Sequence, residues 1–239
     1  MRSDFESEGQ KAETFIQATR RKQILDGAIE TLAEVGFANA SLARIAKDLR
    51  VSKGVISYHF ESKDALMVKV VEHCFEGMIE AVVPKILAAD GTIAGIHVHL
   101  HELALYALDH RSMLIALGQV AGNLRRSDGR LHFGAESNEA LYPGLEQMYQ
   151  HGQQAGELRD FDVRVMAITQ QAAIDAMFAY WGNHPDHDLV AHADRLADLI
   201  VHAVRAGPES PSPRPPAKRS RTARKTTTAK KSSSKRASS

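Results

Sequence analysis

The sequence predicts an all-α protein, and three observations carry that expectation. Apolar residues recur at i, i+3 and i+4 almost without interruption from residue 19 to residue 205. Aromatic residues make up only 6% of the chain while alanine and the aliphatics dominate its apolar 44%, a balance that favours helix over sheet. No segment alternates apolar and polar residues as a half-buried strand would.

The elements follow in chain order. Up to Ala18 the chain is polar and acidic, with Asp4, Glu6 and Glu8 and no clear period, so residues 1–18 are expected to form a disordered arm. The first helix spans residues 19–35, with Ile24, Leu25, Ala28, Ile29 and Leu32 as its inward stripe; Gly36 ends it and Phe37 anchors the turn. Ser41 caps a short second helix that turns Leu42, Ile45, Ala46 and Leu49 inward. After a break at Arg50 and Val51, Ser52 caps a third helix reaching Phe60. Ser62 caps a fourth, which runs through Ala65, Leu66, Val70, Val71 and Phe75 toward Pro84. Coarser periodicity places further helices near 92–109, 111–123, 133–152, 162–182 and 188–205. Asp160, Asp162 and Asp186 set negative charge at helix starts, and the His184-Pro185 step separates the last two helices.

Composition bounds the function. No run approaches the roughly 18 apolar residues of a membrane span, and the amino terminus has no apolar core of a secretory signal. The single cysteine, Cys74, excludes an internal disulfide or a cysteine-cluster metal site and is expected to be a small buried hydrophobe. A soluble cytoplasmic protein with no membrane partner is the expectation. The net charge of +1 conceals an asymmetry: residues 208–239 hold ten Lys/Arg and one acid, while the rest of the chain holds twenty basic and twenty-eight acidic side chains. Gly207, Pro208, Pro211 and Pro213 stop any helix there, and the Lys/Arg/Ser/Thr/Ala stretch beyond has no large apolar residue to offset ordering. Residues 207–239 therefore read as a disordered basic tail with affinity for an anionic partner, DNA foremost, by counterion release.

Two short helices joined by a tight turn form a helix-turn-helix, which lays its second helix across the DNA major groove. Here Ile45, Ala46, Leu49, Val51, Ile56 and Phe60 hold the pair together, leaving Ser52, Lys53, Gly54, Val55, Tyr58 and His59 with outward options. Lys53 suits guanine or phosphate, Val55 a thymine methyl, and Gly54 allows close backbone approach; Tyr58, His59 and Lys63 suit phosphate oxygens. The run from Ile24 to Ala28, Gly36-Phe37, Ser41-Leu-Ala-Arg-Ile-Ala46, Val51-Ser-Lys-Gly-Val-Ile-Ser-Tyr-His-Phe60 and Ser62-Lys-Asp-Ala-Leu66 resembles the amino-terminal domain of the tetracycline-repressor (TetR) family over about fifty residues. The resemblance implies that Ser41, Lys53, Val55, Tyr58, His59 and Lys63 face DNA. Three positions depart from it. Arg50 stands where the turn usually has glycine, and a left-handed residue there would be strained. Ser57 replaces a usual tyrosine, and Ala43 a usual polar reader, leaving Arg44 as the neighbouring phosphate candidate. The expected DNA-facing set is Ser41, Arg44, Ser52, Lys53, Gly54, Val55, Ser57, Tyr58, His59 and Lys63.

The resemblance fades after Val71 and implies a helical ligand-binding bundle whose last two helices pair across a two-fold axis. Ala172 and Ala176 permit close helix approach, and Leu189, Ala193, Leu196 and Ile200 form a heptad-like stripe; these are the expected dimer residues, with an intrachain core as the competing reading. Tyr106, Met113, Leu117, Met148, Met166, Met177, Phe178 and Trp181 are the candidate pocket for a small-molecule effector, because methionine and aromatics line adaptable cavities. Of His97, His99 and His101 only the first and last share a helix face, so they are read as surface or pocket residues and not as a metal site. No nucleophile–base pair, phosphate loop or His-Glu-x-x-His spacing points to an enzyme, and no cofactor is expected. The domains are thus expected at 1–18, 19–66, 67–206 and 207–239. The chain reads as a homodimeric, ligand-responsive repressor on double-stranded DNA, nucleoid-associated in the cytoplasm. The alternative is a histone-like architectural binder driven by the tail.

Overall fold

The computed structural model describes residues 2–133 and 135–207, with side chains described for 16–133 and 138–207. The basic tail from residue 208 lies outside the described residues. Helix α1 (Arg2–Asn39) is followed by α2 (Leu42–Asp48), α3 (Lys53–His59) and α4 (Lys63–Leu87). Then come α5 (Gly91–Asp109), α6 (Arg111–Asn123), a 3-10 turn (Ala135–Ala140), α7 (Tyr142–Gln154), α8 (Val163–Asn183) and α9 (Leu189–Val204). Among the described residues there is no strand, only isolated bridges between Arg125 and Leu131 and between Leu158 and Arg205.

The expected caps form. Ser41, Ser52 and Ser62 accept from the backbone N–H of Arg44, Val55 and Ala65, and Asp162 caps α8 the same way; at α9 the cap is Asp188, two residues beyond the expected Asp186. Gly36 breaks α1 with φ 74° and ψ 168°, a left-handed position that glycine takes without a steric penalty. Two boundaries differ from the sequence expectation. The backbone of α1 is helical from Arg2, where an irregular arm to residue 18 was expected; the Glu, Lys, Ala and Gln of that stretch are strong helix formers even without an apolar stripe. The single helix expected over 133–152 divides into the 3-10 turn and α7, because Pro143 has no N–H to donate and is tolerated only in a first turn.

The helices pack around two cores. The first joins α1–α4 to α6 through Ile24, Leu32, Ile45, Ile56, Leu66 and Met67 with Met113, Ala116 and Val120. The second joins α5, α7, α8 and α9 through Leu100, Tyr149, Met177, Trp181, Leu189 and Val204. Each fully buried Leu or Ile contributes about 1.5–3 kcal/mol of transfer free energy. Met78 and Leu114 touch both cores, and α4 runs without interruption across the expected domain boundary at 66/67. Cys74 is buried in the first core, and burial pushes its thiol up to about 12.

The second core corrects the expected dimer stripe. Leu189, Ala193 and Ile200 are buried within this chain, on the face of α9 that packs against α5, so the period that suggested a partner is satisfied internally. Leu196 is half-buried beside them, while Ala172 and Ala176 on α8 remain exposed. His101 Nδ1 meets Asp194 at 2.8 Å and His97 Nε2 approaches Asp198 at 3.9 Å, tying α5 to α9. Among the described residues no group of three or more His, Cys, Asp or Glu is arranged to hold a metal ion.

The start of α5 depends on a distant carboxylate. Asp90 makes no side-chain cap; instead Glu157 accepts from Thr92 N at 3.0 Å and Ile93 N at 3.1 Å. These backbone bonds hold the Glu157 carboxyl below its ordinary pKa. A depressed carboxylate stabilises the fold above its unfolded pKa, and that contribution is lost as pH falls through the folded value. Replacement by alanine is expected to cost about 1 kcal/mol at neutral pH, the usual scale of a lost cap. In urea titrations, wild type and Glu157→Ala should converge in acid; a difference that stays constant down to pH 3 would contradict this account.

Candidate nucleic-acid interface

The reading head is built from its buried face outward. Ile56 and Phe60 are 0% and 3% exposed and fix α3 against the first core, with the Arg21 guanidinium 4.8 Å above the Phe60 ring. The opposite face is open: Ser52, Lys53, Gly54 and Ser57 are exposed, and Tyr58 is 73% exposed. Val55 and His59 are half-buried at its flanks, with the His59 ring edge-on to Tyr58 at 5.0 Å. Ser41 and Ser52 use oxygen lone pairs as caps, at 3.1 Å and 3.4 Å, which leaves each hydroxyl proton to donate outward.

The turn between the two helices holds the departure noted in the sequence. Arg50 has φ 54° and is the sole non-glycine residue with positive φ among the described residues. It stays there because Arg50 N bonds Lys47 O at 3.1 Å and Val51 N bonds Ala46 O at 2.9 Å. Close approach of α2 to α1 is permitted by Gly27, where a Cβ would lie 2.3 Å from the Leu49 side chain.

Two expected contacts are engaged inside the protein. Lys63 turns its ammonium onto the Phe37 carbonyl and lies 4.3 Å from the Phe37 ring centroid, and partial burial lowers its pKa. Arg44 is held by Asp48 at 2.8 Å and Glu34 at 3.2 Å, with Thr31 donating to the same Asp48 carboxylate at 3.0 Å. The paired guanidinium is raised by its bond to Asp48, and that carboxyl is lowered by the same bond. Both cations thus brace the head. Conversely, Ile16, Gln17 and Arg20 on α1 line one groove with Ser52, Gly54, Val55, Tyr58 and His59, a flank the sequence reading missed. Its visible signal was the basic run Arg20-Arg21-Lys22 at the start of the apolar stripe.

The pocket candidates fall into two groups. Tyr106, Met113 and Leu117 belong to the first core; Met148, Met166, Met177, Phe178 and Trp181 belong to the second. Sequence reasoning also missed a polar trio in the second. Tyr149 and Gln170 are both 0% exposed, Tyr149 Oη donates to Gln170 Oε1, and Gln170 Nε2 lies 3.0 Å from His99 Nδ1. Burial lowers the His99 ring to a pKa of about 4.

A short helix pair with a capped, solvent-facing second helix, set on an all-α body, defines a helix-turn-helix DNA-binding protein. Residues 24–70 match the family model described as bacterial regulatory proteins, tetR family. The fatty acid metabolism regulator protein of Bacillus subtilis (strain 168) is 26% identical over 191 residues, spanning 76% of this chain and 94% of its own. The HTH-type transcriptional repressor Rv1474c of Mycobacterium tuberculosis is 28% identical over 190 residues, spanning 79% and 94%. The solved structure of FadR from Bacillus subtilis in complex with stearoyl-CoA shares the fold with a TM-score of 0.67 at 24% identity, covering 75% of this chain and 97% of that one. Residues 24–70 are thus a helix-turn-helix domain of the tetR type, and the chain is a DNA-binding transcriptional regulator.

The strained turn yields a direct test. Arg50→Gly removes a left-handed cost of about 1–2 kcal/mol but adds unfolded-state entropy, so a net gain of about 0.5–1 kcal/mol is expected. Arg50→Val, β-branched, should lose stability instead. Urea unfolding midpoints check both, and a lower midpoint for the glycine variant would contradict the strain.

Proposed function

We propose that the protein is a homodimeric repressor that reads a palindromic operator through α3 and leaves it when an acyl thioester occupies the α5–α9 body. The observation that carries the DNA reading is the open face of α3. Lys53 and Gly54 stand clear of a buried Ile56–Phe60 spine at the helix start, where major-groove contacts are made, and Tyr58 is open in the last turn. Lys53 and Val55 are assigned to base edges, and Ser41, Ser52, Ser57, Tyr58 and His59 to phosphates, with Gln17 and Arg20 added from α1. Residues 19–66 act as the head, 67–206 as the sensing and dimerising body, and the tail adds affinity that carries no base sequence.

For the dimer, the supporting feature is the outer face of α8. Val165 (59% exposed), Ile168 (41%), Ala172, Ala176 and Tyr180 (48%) recur there at helical spacing, and Leu199 of α9 is 70% exposed. An exposed apolar stripe of this kind supports a partner site on α8. For the effector, support comes from relatives matched over nearly their whole length: one is named a fatty acid metabolism regulator, and a solved FadR holds stearoyl-CoA. Release is then a population shift toward a conformer whose two heads no longer fit the groove spacing. It is transmitted through α4 and through α6, which meets α1 by Ser112–Glu30 at 2.9 Å and Gln119–Phe37 N at 3.0 Å. Such a protein works at the nucleoid, in the cytoplasm.

Three measurements test this reading. Selection of bound sequences from random DNA should return a short palindrome, whereas an architectural binder driven by the tail would return none. Lys53→Ala should weaken operator binding by about 1–3 kcal/mol, and addition of stearoyl-CoA should release the wild type; operator binding indifferent to stearoyl-CoA removes the effector assignment. Ile168→Glu should give monomers in sedimentation and abolish operator binding, and a dimeric Ile168→Glu protein would displace the interface from α8.

A further inference from the structure

The Tyr149–Gln170–His99 trio has a direction. Gln170 accepts the Tyr149 hydroxyl proton on Oε1, which fixes its amide with Nε2 toward His99. An amide nitrogen only donates, so His99 Nδ1 accepts and the ring proton resides on Nε2. That second nitrogen has no hydrogen-bond partner among the described residues. The ring is enclosed on most sides yet keeps an accessible edge, unlike the wholly buried Tyr149 and Gln170 behind it. Burial keeps it neutral at physiological pH.

A trio of this kind is a costly way to fill a core. Apolar side chains of similar size would pack there without three polar groups to desolvate. The chain of donors ends instead on an N–H with no acceptor among the described residues; behind it, Gln170 lies one helical turn from the candidate pocket methionine Met166, and Tyr149 follows Met148 in sequence. We propose that His99 Nε2–H, held in that tautomer by Gln170 and Tyr149, is the anchor for the neutral carbonyl oxygen of the effector. A neutral N–H matches a thioester carbonyl; it offers no charge to balance a free carboxylate, so the site separates acyl thioesters from the corresponding acids. His99 is thereby the group touching the ligand, and Gln170 and Tyr149 are positioning residues. The proposal rests on the acyl-thioester reading of the preceding section.

The test uses the full-length dimer, titrated calorimetrically with stearoyl-CoA and with S-octadecyl-CoA, the thioether that lacks only the carbonyl oxygen. Wild type should bind the thioester about tenfold more tightly, the scale of one hydrogen bond made in a buried site. In His99→Phe the two affinities should agree within about twofold, and His99→Gln, which retains an N–H, should keep part of the preference. Long-range proton–nitrogen spectra of histidine-labelled protein should show His99 protonated on Nε2 in wild type and a mixed tautomer in Gln170→Leu. Equal affinities in wild type, a preference that survives His99→Phe, or a proton on Nδ1 each overturn the anchor while leaving the acyl-thioester reading in place. Failure of both CoA compounds to bind overturns that reading and the anchor with it.

Discussion

The structure depends on the packing of α1 between the reading head and α6. Ile24, Ala28 and Leu32 are almost wholly buried, while Gln23, Asp26, Glu30 and Glu34 keep the opposite side of the helix in solvent. On one side Gly27 admits Leu49 of α2 to a distance no side chain would allow. On the other, α6 lies along it, with Ser112 and Gln119 bonding to Glu30 and to the Phe37 amide. Close-packed contacts of this kind do not deform gradually; they hold one arrangement or switch to another. In the proposed release, a change of shape in the body reaches the head through α4 and through the contact of α6 with α1.

The legible and illegible parts of the sequence divide along a physical line. Local chemistry was legible. The hydroxyl caps Ser41, Ser52 and Ser62 each close a helix start, and Arg50 could be named as a strained turn because the φ demanded there is a property of the backbone alone. Partner choice was not. Lys63 and Arg44 have the charge and position of phosphate contacts, yet a ring and a carbonyl in one case and two carboxylates in the other claim them first. The heptad-like period of α9 was correct as a period, but periodicity cannot say whether the apolar stripe meets its own chain or another. Pro143 carried a readable signal that a helix starts beside it, and the error lay in letting the apolar pattern run through it.

The polar trio eluded sequence reading for a related reason. Gln170 and Tyr149 lie on helices whose other inward residues are apolar, and a pattern that sorts residues by hydropathy treats a buried glutamine as noise. Only the fold brings α5, α7 and α8 together so that three uncharged groups complete one another. The same fold leaves the outer face of α8 apolar and open. One helix thus presents its inner side to the chain's own core and an apolar outer side to solvent.

The internal engagement of Arg44 and Lys63 has a consequence for the conditions under which the protein stays bound. Two cations that would otherwise displace counterions from DNA are neutralised or turned inward, so the head grips through shape and short polar contacts more than through net charge. The opposite holds for the proposed role of the tail, where ten basic residues and no large apolar one leave charge as the means of contact. When a cell accumulates potassium under osmotic stress, the charge-driven contribution weakens steeply and the shape-driven one much less. Occupancy of scattered sites would then fall before occupancy of the operator, so a saltier interior would leave the regulator on fewer and better-matched sequences.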